Sequence, residues 1–374
     1  EKVFPYKDEE FVRMWVADME FGVAPEILDA MRQRIDRRIF GYTGVYDDGY
    51  YQSFRHWCLE HYGWEVSQEE LCFSPGIIPA IYQLVESLTA PNEKVLINTP
   101  AYGYFLHAAE YSNRGVLHSP LKKDEKGCFT LDAEDFERRC ADPKCKLVFW
   151  CNPHNPTGHI WTEEELRQAA AIMEKYNLWV VSDEIHCDLT RKGKSHIPMA
   201  KIMTDYPKLI TCMAPTKTFN LAGMAFSNII IRDQATREEF RARDKLFGMV
   251  NPLSLTAAKA AYDKGGPWLE ELRDYLDGNF AFVQEFLSLE LPEAVMNISD
   301  ATYLAWVDLG RCLPDVADLP GFFANEAGVL LEGGNSLFVD NAEGYIRLNL
   351  AMPRSMIQTG LERIRDSIRR HRKS

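Results

Sequence analysis

Short apolar runs alternate with amphipathic stretches through the middle of the chain. KVLINT (94–99), KLVFWCN (146–152), LWVVSDE (178–184), LITCMAP (209–215) and SNIIIRD (227–233) are too short for helices and end in polar or turn residues. Each predicts a buried strand. FLHAAEYSN (105–113) suits the start of a helix, and TEEELRQAAAIMEKYN (162–177) predicts a complete one. Thr162 stands at its N-cap, and Glu165 completes a capping box. Strand, helix, strand in this order implies parallel pairing through crossovers, in a sheet covered on both faces.

Beyond about residue 252 the pattern changes. A long helical stretch runs from Leu253 to Leu289, interrupted at GGP (265–267). TYLAWVDL (302–309) and GYIRLNLA (344–351) then alternate as strands, and SMIQTGLERIRDSIRR closes the chain as a helix. The expected fold class is α/β. A large domain, 46–255, has a mainly parallel sheet sandwiched by helices, and 1–45 joins 256–374 in a smaller α+β domain.

Composition narrows the function. The 374 residues suffice for two domains, and a net charge of −13 disfavours a nucleic-acid partner. The basic run RRHRKS (369–374) reads as a solvated last turn that complements the helix dipole. Nine cysteines without a CxxC pair read as reduced thiols, with Cys151 and Cys187 as small core hydrophobes. No apolar run is long enough to span a membrane, and no leader pattern is visible, so a soluble cytoplasmic protein is expected. No metal is expected.

Ligands of open parallel sheets bind beyond the carboxyl ends of the strands. Four of the predicted strand ends carry unusual residues: PAYGY (100–104), NPHNPTG (152–158), Asp183 followed by His186, and Thr216-Lys217-Thr218. Lys217 follows an apolar run and precedes a phenylalanine. Its surroundings leave two readings open, a snorkelling side chain or an amine made nucleophilic by partial burial. Asp183 ends an apolar strand, where a carboxylate is costly unless paired. It is either a helix cap or the partner of a cation such as a pyridinium N–H. SPGIIPA (74–80) resembles a turn entering a helix, which is either an ordinary cap or a phosphate cradle.

These motifs resemble the fold-type I pyridoxal-phosphate enzymes of the class I/II aminotransferase superfamily, over nearly the whole chain. NPHNPTG, SDEIH and APTKTFN carry the likeness, with Asp183 28 residues after Asn155 and 34 before Lys217. WVADMEF (15–21), FGYTG (40–44), SDEIHCD, APTKTFNLAG, GGPWLEEL (265–272) and DATYLAW (300–306) are closest to the MalY/PatB-like cystathionine β-lyases.

The resemblance implies pyridoxal 5′-phosphate held as a Schiff base on Lys217, which then shuttles protons. Asp183 would pair with the pyridine nitrogen, with Asn155 and His186 near the phenolic oxygen and Tyr102 on the ring face. Gly76, Ile77 and Ile78 would offer backbone N–H groups to the phosphate, and Thr216 a hydroxyl. Arg347 would grip the substrate α-carboxylate, helped by backbone at Ala17. Tyr42 would reach the neighbouring site of a homodimer.

Each role has a plainer alternative. Tyr102 could be a core aromatic, Arg347 a structural ion pair, His186 a helix-start cap, and Tyr42 a buried interface aromatic. The implied reaction is β-elimination from L-cystathionine or a related cysteine S-conjugate, a small-molecule amino-acid substrate, with transamination as the alternative. One departure stands out. Many members carry a basic phosphate ligand about nine residues after the lysine, whereas AGMAFSN (222–228) has Phe226 and no basic residue.

Overall fold

The structure is a computed structural model and describes residues 4–46, 48–244 and 250–373. In chain order its main strands are β1 (Val12–Met14), β2 (Leu71–Ser74), β3 (Lys94–Thr99), β4 (Gly115–Pro120), β5 (Cys145–Cys151), β6 (Trp179–Asp183), β7 (Leu209–Met213) and β8 (Ser227–Ile231). They continue as β9 (Val295–Met296), β10 (Leu304–Asp308), β11 (Val329–Gly333) and β12 (Tyr345–Asn349). One sheet has the order β2-β8-β7-β6-β5-β3-β4 and the other β1-β11-β12-β10-β9.

The central strands of the large sheet are apolar on both faces because both faces are covered. Val180 and Val181 are adjacent in β6 yet belong to different cores, as do Val148 and Phe149 in β5. Helices Ile77–Leu88 and Gly103–Tyr111 pack on one side, and helices Asp48–Tyr62 and Glu163–Lys175 on the other. The capping box on the last of these forms: Glu165 N–H donates to Thr162 Oγ1 at 3.2 Å, and Thr162 N–H to Glu165 Oε2 at 2.9 Å.

Parallel pairing holds for β4-β3-β5-β6-β7 but not for SNIIIRD. β8 runs antiparallel to both β7 and β2. A parallel return needs a crossover, usually a helix of a dozen residues. Here the connection holds only short turns, Pro215–Thr218 and Ala222–Met224, so the chain doubles back. Those turns carry Lys217.

The long helical stretch is two helices, Pro252–Lys264 and Gly266–Glu290, meeting at Gly265. A Cβ at Gly265 would stand 2.4 Å from the Phe219 ring, so the break lets the helices close onto the lysine-bearing segment. The basic C-terminus is not only solvated: Arg369 reaches Glu290 at 2.8 Å, and Arg372 reaches Glu293. Ser374 of that run lies outside the described residues. Among the described residues no helix is long and apolar enough to cross a membrane.

Candidate active site

The carboxyl ends of β2, β3, β5, β6 and β7 open on one cavity of about 180 Å³, closed from the other side by β11 and β12. Ala17, Ile77, Ile78, Tyr102, Asn155, Asp183, His186, Lys217 and Arg347 all line it. Gly76 is the N-cap of helix Ile77–Leu88, and Thr216 is buried in the Lys217 turn; neither is a wall residue. Tyr42 is 96% exposed and does not line the cavity, in a stretch without helix or strand.

Lys217 points inward. Its Nζ donates to the Ala17 carbonyl at 2.6 Å, which excludes the snorkelling reading. Burial pulls its pKa down and the Arg347 charge adds to this, while Asp18 and Asp183 oppose. The turn is anchored from below. Asp188 accepts from Thr218 Oγ1 at 2.7 Å, from Trp57 Nε1 at 3.0 Å and from the Tyr62 hydroxyl. Asn220, with a φ of 55°, uses its amide to hold Met19 and Phe21, so the turn grips the 15–21 segment.

Asp183 and Glu184 are adjacent buried carboxylates with different surroundings. Glu184 is fully engaged, with His196 Nε2 at 2.7 Å, Ser182 Oγ at 2.8 Å and Met199 N–H at 3.0 Å. Asp183 accepts a hydrogen bond from Ile185 N–H at 3.2 Å and otherwise faces the cavity. Burial raises its pKa to about 7; the Ile185 bond and Lys217 oppose, and Glu184 adds to the rise. A cation placed beside it in the cavity would restore the carboxylate.

His186 is buried, and among the described residues its Nδ1 has no partner. Burial, then the charges of Lys217 and Arg347, lower its pKa to about 3, so the ring is neutral. It sits in a turn and caps no helix. Tyr102 pairs through its backbone with Phe338, and burial raises its phenol pKa to about 12.

Arg347 comes from β12, and burial lowers its pKa only to about 10, so it stays cationic at neutral pH. It donates to Asn155 Oδ1 at 3.2 Å and to the Trp15 carbonyl at 3.3 Å, stacks 5.2 Å over the Phe338 ring, and pairs with Glu332. The ion-pair reading is therefore true of it, within the cavity. Its Nε has no partner among the described residues.

Sequence reasoning missed Glu332 and Tyr303. Tyr303 donates to the same Ala17 carbonyl at 2.7 Å. Its motif, DATYLAW, was visible; Glu332 gave no signal until β11 was placed opposite β12. The stretch 222–228 offers no cation. Phe226 is core, stacked 5.4 Å from Phe73 and edge-on to Tyr50 at 5.1 Å.

Comparison with known proteins adds to this geometry. The model of the family described as aminotransferase class I and II matches residues 10–364. Cystathionine beta-lyase PatB of Bacillus subtilis is 39% identical over 359 residues, 95% of this chain and 92% of that protein. Protein MalY of Escherichia coli is 32% identical, over 95% of this chain and 90% of its own. The PLP-bound C–S lyase of Staphylococcus hominis superposes with a TM-score of 0.93 at 43% identity, over 96% of this chain and 92% of that one.

Proposed function

The chain belongs to the class I and II aminotransferase family, and from there we propose that it is a pyridoxal-phosphate-dependent carbon–sulfur β-lyase. It cleaves L-cystathionine or a related cysteine S-conjugate to a thiol, pyruvate and ammonia. The observation that carries the cofactor assignment is the pairing of an inward lysine amine with a buried, under-partnered carboxylate across one cavity.

The residues present fit the group. Among the described residues Asp183 forms no ion pair, and it would hold the pyridine N–H. His186 Nδ1 is an orphaned polar atom that would serve the phenolic oxygen, together with Asn155. Tyr102 would cover the ring face. Gly76, Ile77 and Ile78, at the start of a helix, would hold the phosphate with Thr216. The cofactor, bound covalently through Lys217 Nζ, supplies a sink for the electron pair left when Cα loses its proton.

The chain's own groups do the rest. Arg347 takes the α-carboxylate through two N–H groups. Once the substrate's amino group has displaced it, the freed Lys217 amine, its pKa lowered, would remove the Cα proton, and it would return a proton as the thiolate leaves Cβ. Ala17 O orients that amine, itself fixed by Tyr303. The eliminated three-carbon fragment takes up water to give pyruvate and ammonia.

The active unit is a homodimer. Ile39, Phe40, Tyr42 and Tyr46 are 71%, 54%, 96% and 80% exposed in one short segment, an apolar patch suited to a second copy, where Tyr42 would reach the neighbouring site. Residues 46–255 form its large domain and the remainder the small one. The nine cysteines, eight of them buried, suit a reducing cytoplasm.

Incubation with L-cystathionine and no 2-oxo acid tests the reaction. Pyruvate and free thiol should accumulate over many turnovers. A single stoichiometric conversion to the aminated cofactor would instead make the protein an aminotransferase.

A further inference from the structure

Arg347 already holds a carboxylate. Glu332 and Arg347 stand directly opposite each other in the antiparallel pair β11–β12, which puts both side chains on one face. The Glu332 carboxylate binds Nη2 of the guanidinium and also lines the cavity, with 21% of its side chain exposed against 3% for Arg347. Arg347 does not depend on this contact for its place. Asn155, the Trp15 carbonyl and the Phe338 ring hold the guanidinium from other directions.

We propose that Glu332 is a specificity-determining residue, an internal carboxylate that occupies Arg347 until a substrate α-carboxylate displaces it, and that then penalises amino acids whose side chain carries a net negative charge. This rests on the reading of Arg347 as the α-carboxylate site. Bidentate capture needs two N–H groups on one edge of the guanidinium, and Glu332 takes one. A displaced Glu332 cannot go far. Its strand is flanked by β1 and β12, so only side-chain torsions move it, and its charge stays beside the bound substrate. Neutral or zwitterionic thioether side chains tolerate that charge, whereas a side-chain carboxylate adds an uncompensated anion in a partly desolvated site. The class selected is thus the amino-acid thioether without net negative side-chain charge.

The test uses the holoenzyme and the variants Glu332→Gln, Glu332→Ala, Glu332→Asp and Arg347→Ala, each first checked for cofactor absorbance and thermal midpoint. Inhibition of L-cystathionine cleavage by L-glutamine and L-glutamate, equal in size and different in charge, reports the discrimination. Wild type should bind glutamine about tenfold tighter than glutamate. Glu332→Gln should lower KM for L-cystathionine about fivefold and bring the two inhibitors close to parity. Glu332→Asp should keep the wild-type preference. Glu332→Ala reports the same loss of charge if the glutamine variant does not fold. An unchanged KM and an unchanged inhibitor ratio in the neutral variants overturn the proposal while leaving the carboxylate site intact, provided that Arg347→Ala raises KM. If Arg347→Ala leaves KM unchanged, the carboxylate reading falls and this proposal with it.

Discussion

Replacing Asp183 by asparagine should stabilise the cofactor-free protein at alkaline pH while weakening the holoenzyme. The Asp183 carboxyl is shifted from its ordinary 3.8 to about 7, first by burial, with Glu184 adding to the rise. Between those pH values the folded protein holds a proton that the unfolded chain has released. Stability therefore falls as pH rises through that window and levels off above about 7. At ~1.4 kcal/mol per pH unit, the loss from about pH 5 to about pH 8 is roughly 3 kcal/mol.

The amide that Asp183→Asn introduces is neutral throughout and lacks this slope. His186 and His154, both lowered to about 3 by burial, act with the opposite sign: their contribution is present above the unfolded histidine pKa and lost as pH falls. They are common to both proteins and cancel in the difference. Urea unfolding of stripped wild type and Asp183→Asn at the two pH values measures it. The variant should exceed wild type by roughly 1.5 kcal/mol near pH 5 and by roughly 4 kcal/mol near pH 8, the two converging only below about pH 4. With cofactor added the order should reverse, because the variant cannot offer a carboxylate to the ring N–H. A wild-type-minus-variant difference that does not change with pH would refute the reasoning.

Other consequences follow from the same geometry. Arg347→Lys keeps the charge but loses the paired N–H groups, so KM for L-cystathionine should rise by roughly 30-fold or more with the cofactor spectrum unchanged. Tyr102→Leu should weaken cofactor retention about tenfold, measured by equilibrium dialysis. Asp188→Ala strips Trp57, Tyr62 and Thr218 of a shared buried acceptor; urea unfolding should show a loss of about 3 kcal/mol.

The sequence was most informative where the chain is buried on both sides. KVLINT, KLVFWCN and LWVVSDE became β3, β5 and β6 within a residue or two, because a strand covered on both faces must be apolar throughout. It was least informative at the edges. GVLHSP became the edge strand β4, whose half-exposed residues carry no apolar run. SNIIIRD was legible as a strand but not in direction, since direction depends on the turns that carry Lys217. In the site, residues that end strands or form motifs could be named. Glu332 and Tyr303 could not, because their roles come from pairing across β11 and β12 and from a carbonyl 286 residues away in sequence.

The most direct test of the account is the covalent bond at Lys217. Borohydride reduction of the holoenzyme, followed by peptide mapping, should place the cofactor mass on the peptide containing Lys217. Lys217→Ala should lose both the long-wavelength absorbance band and the label. Label on another lysine, or an unchanged reducible band in Lys217→Ala, would contradict the central claim.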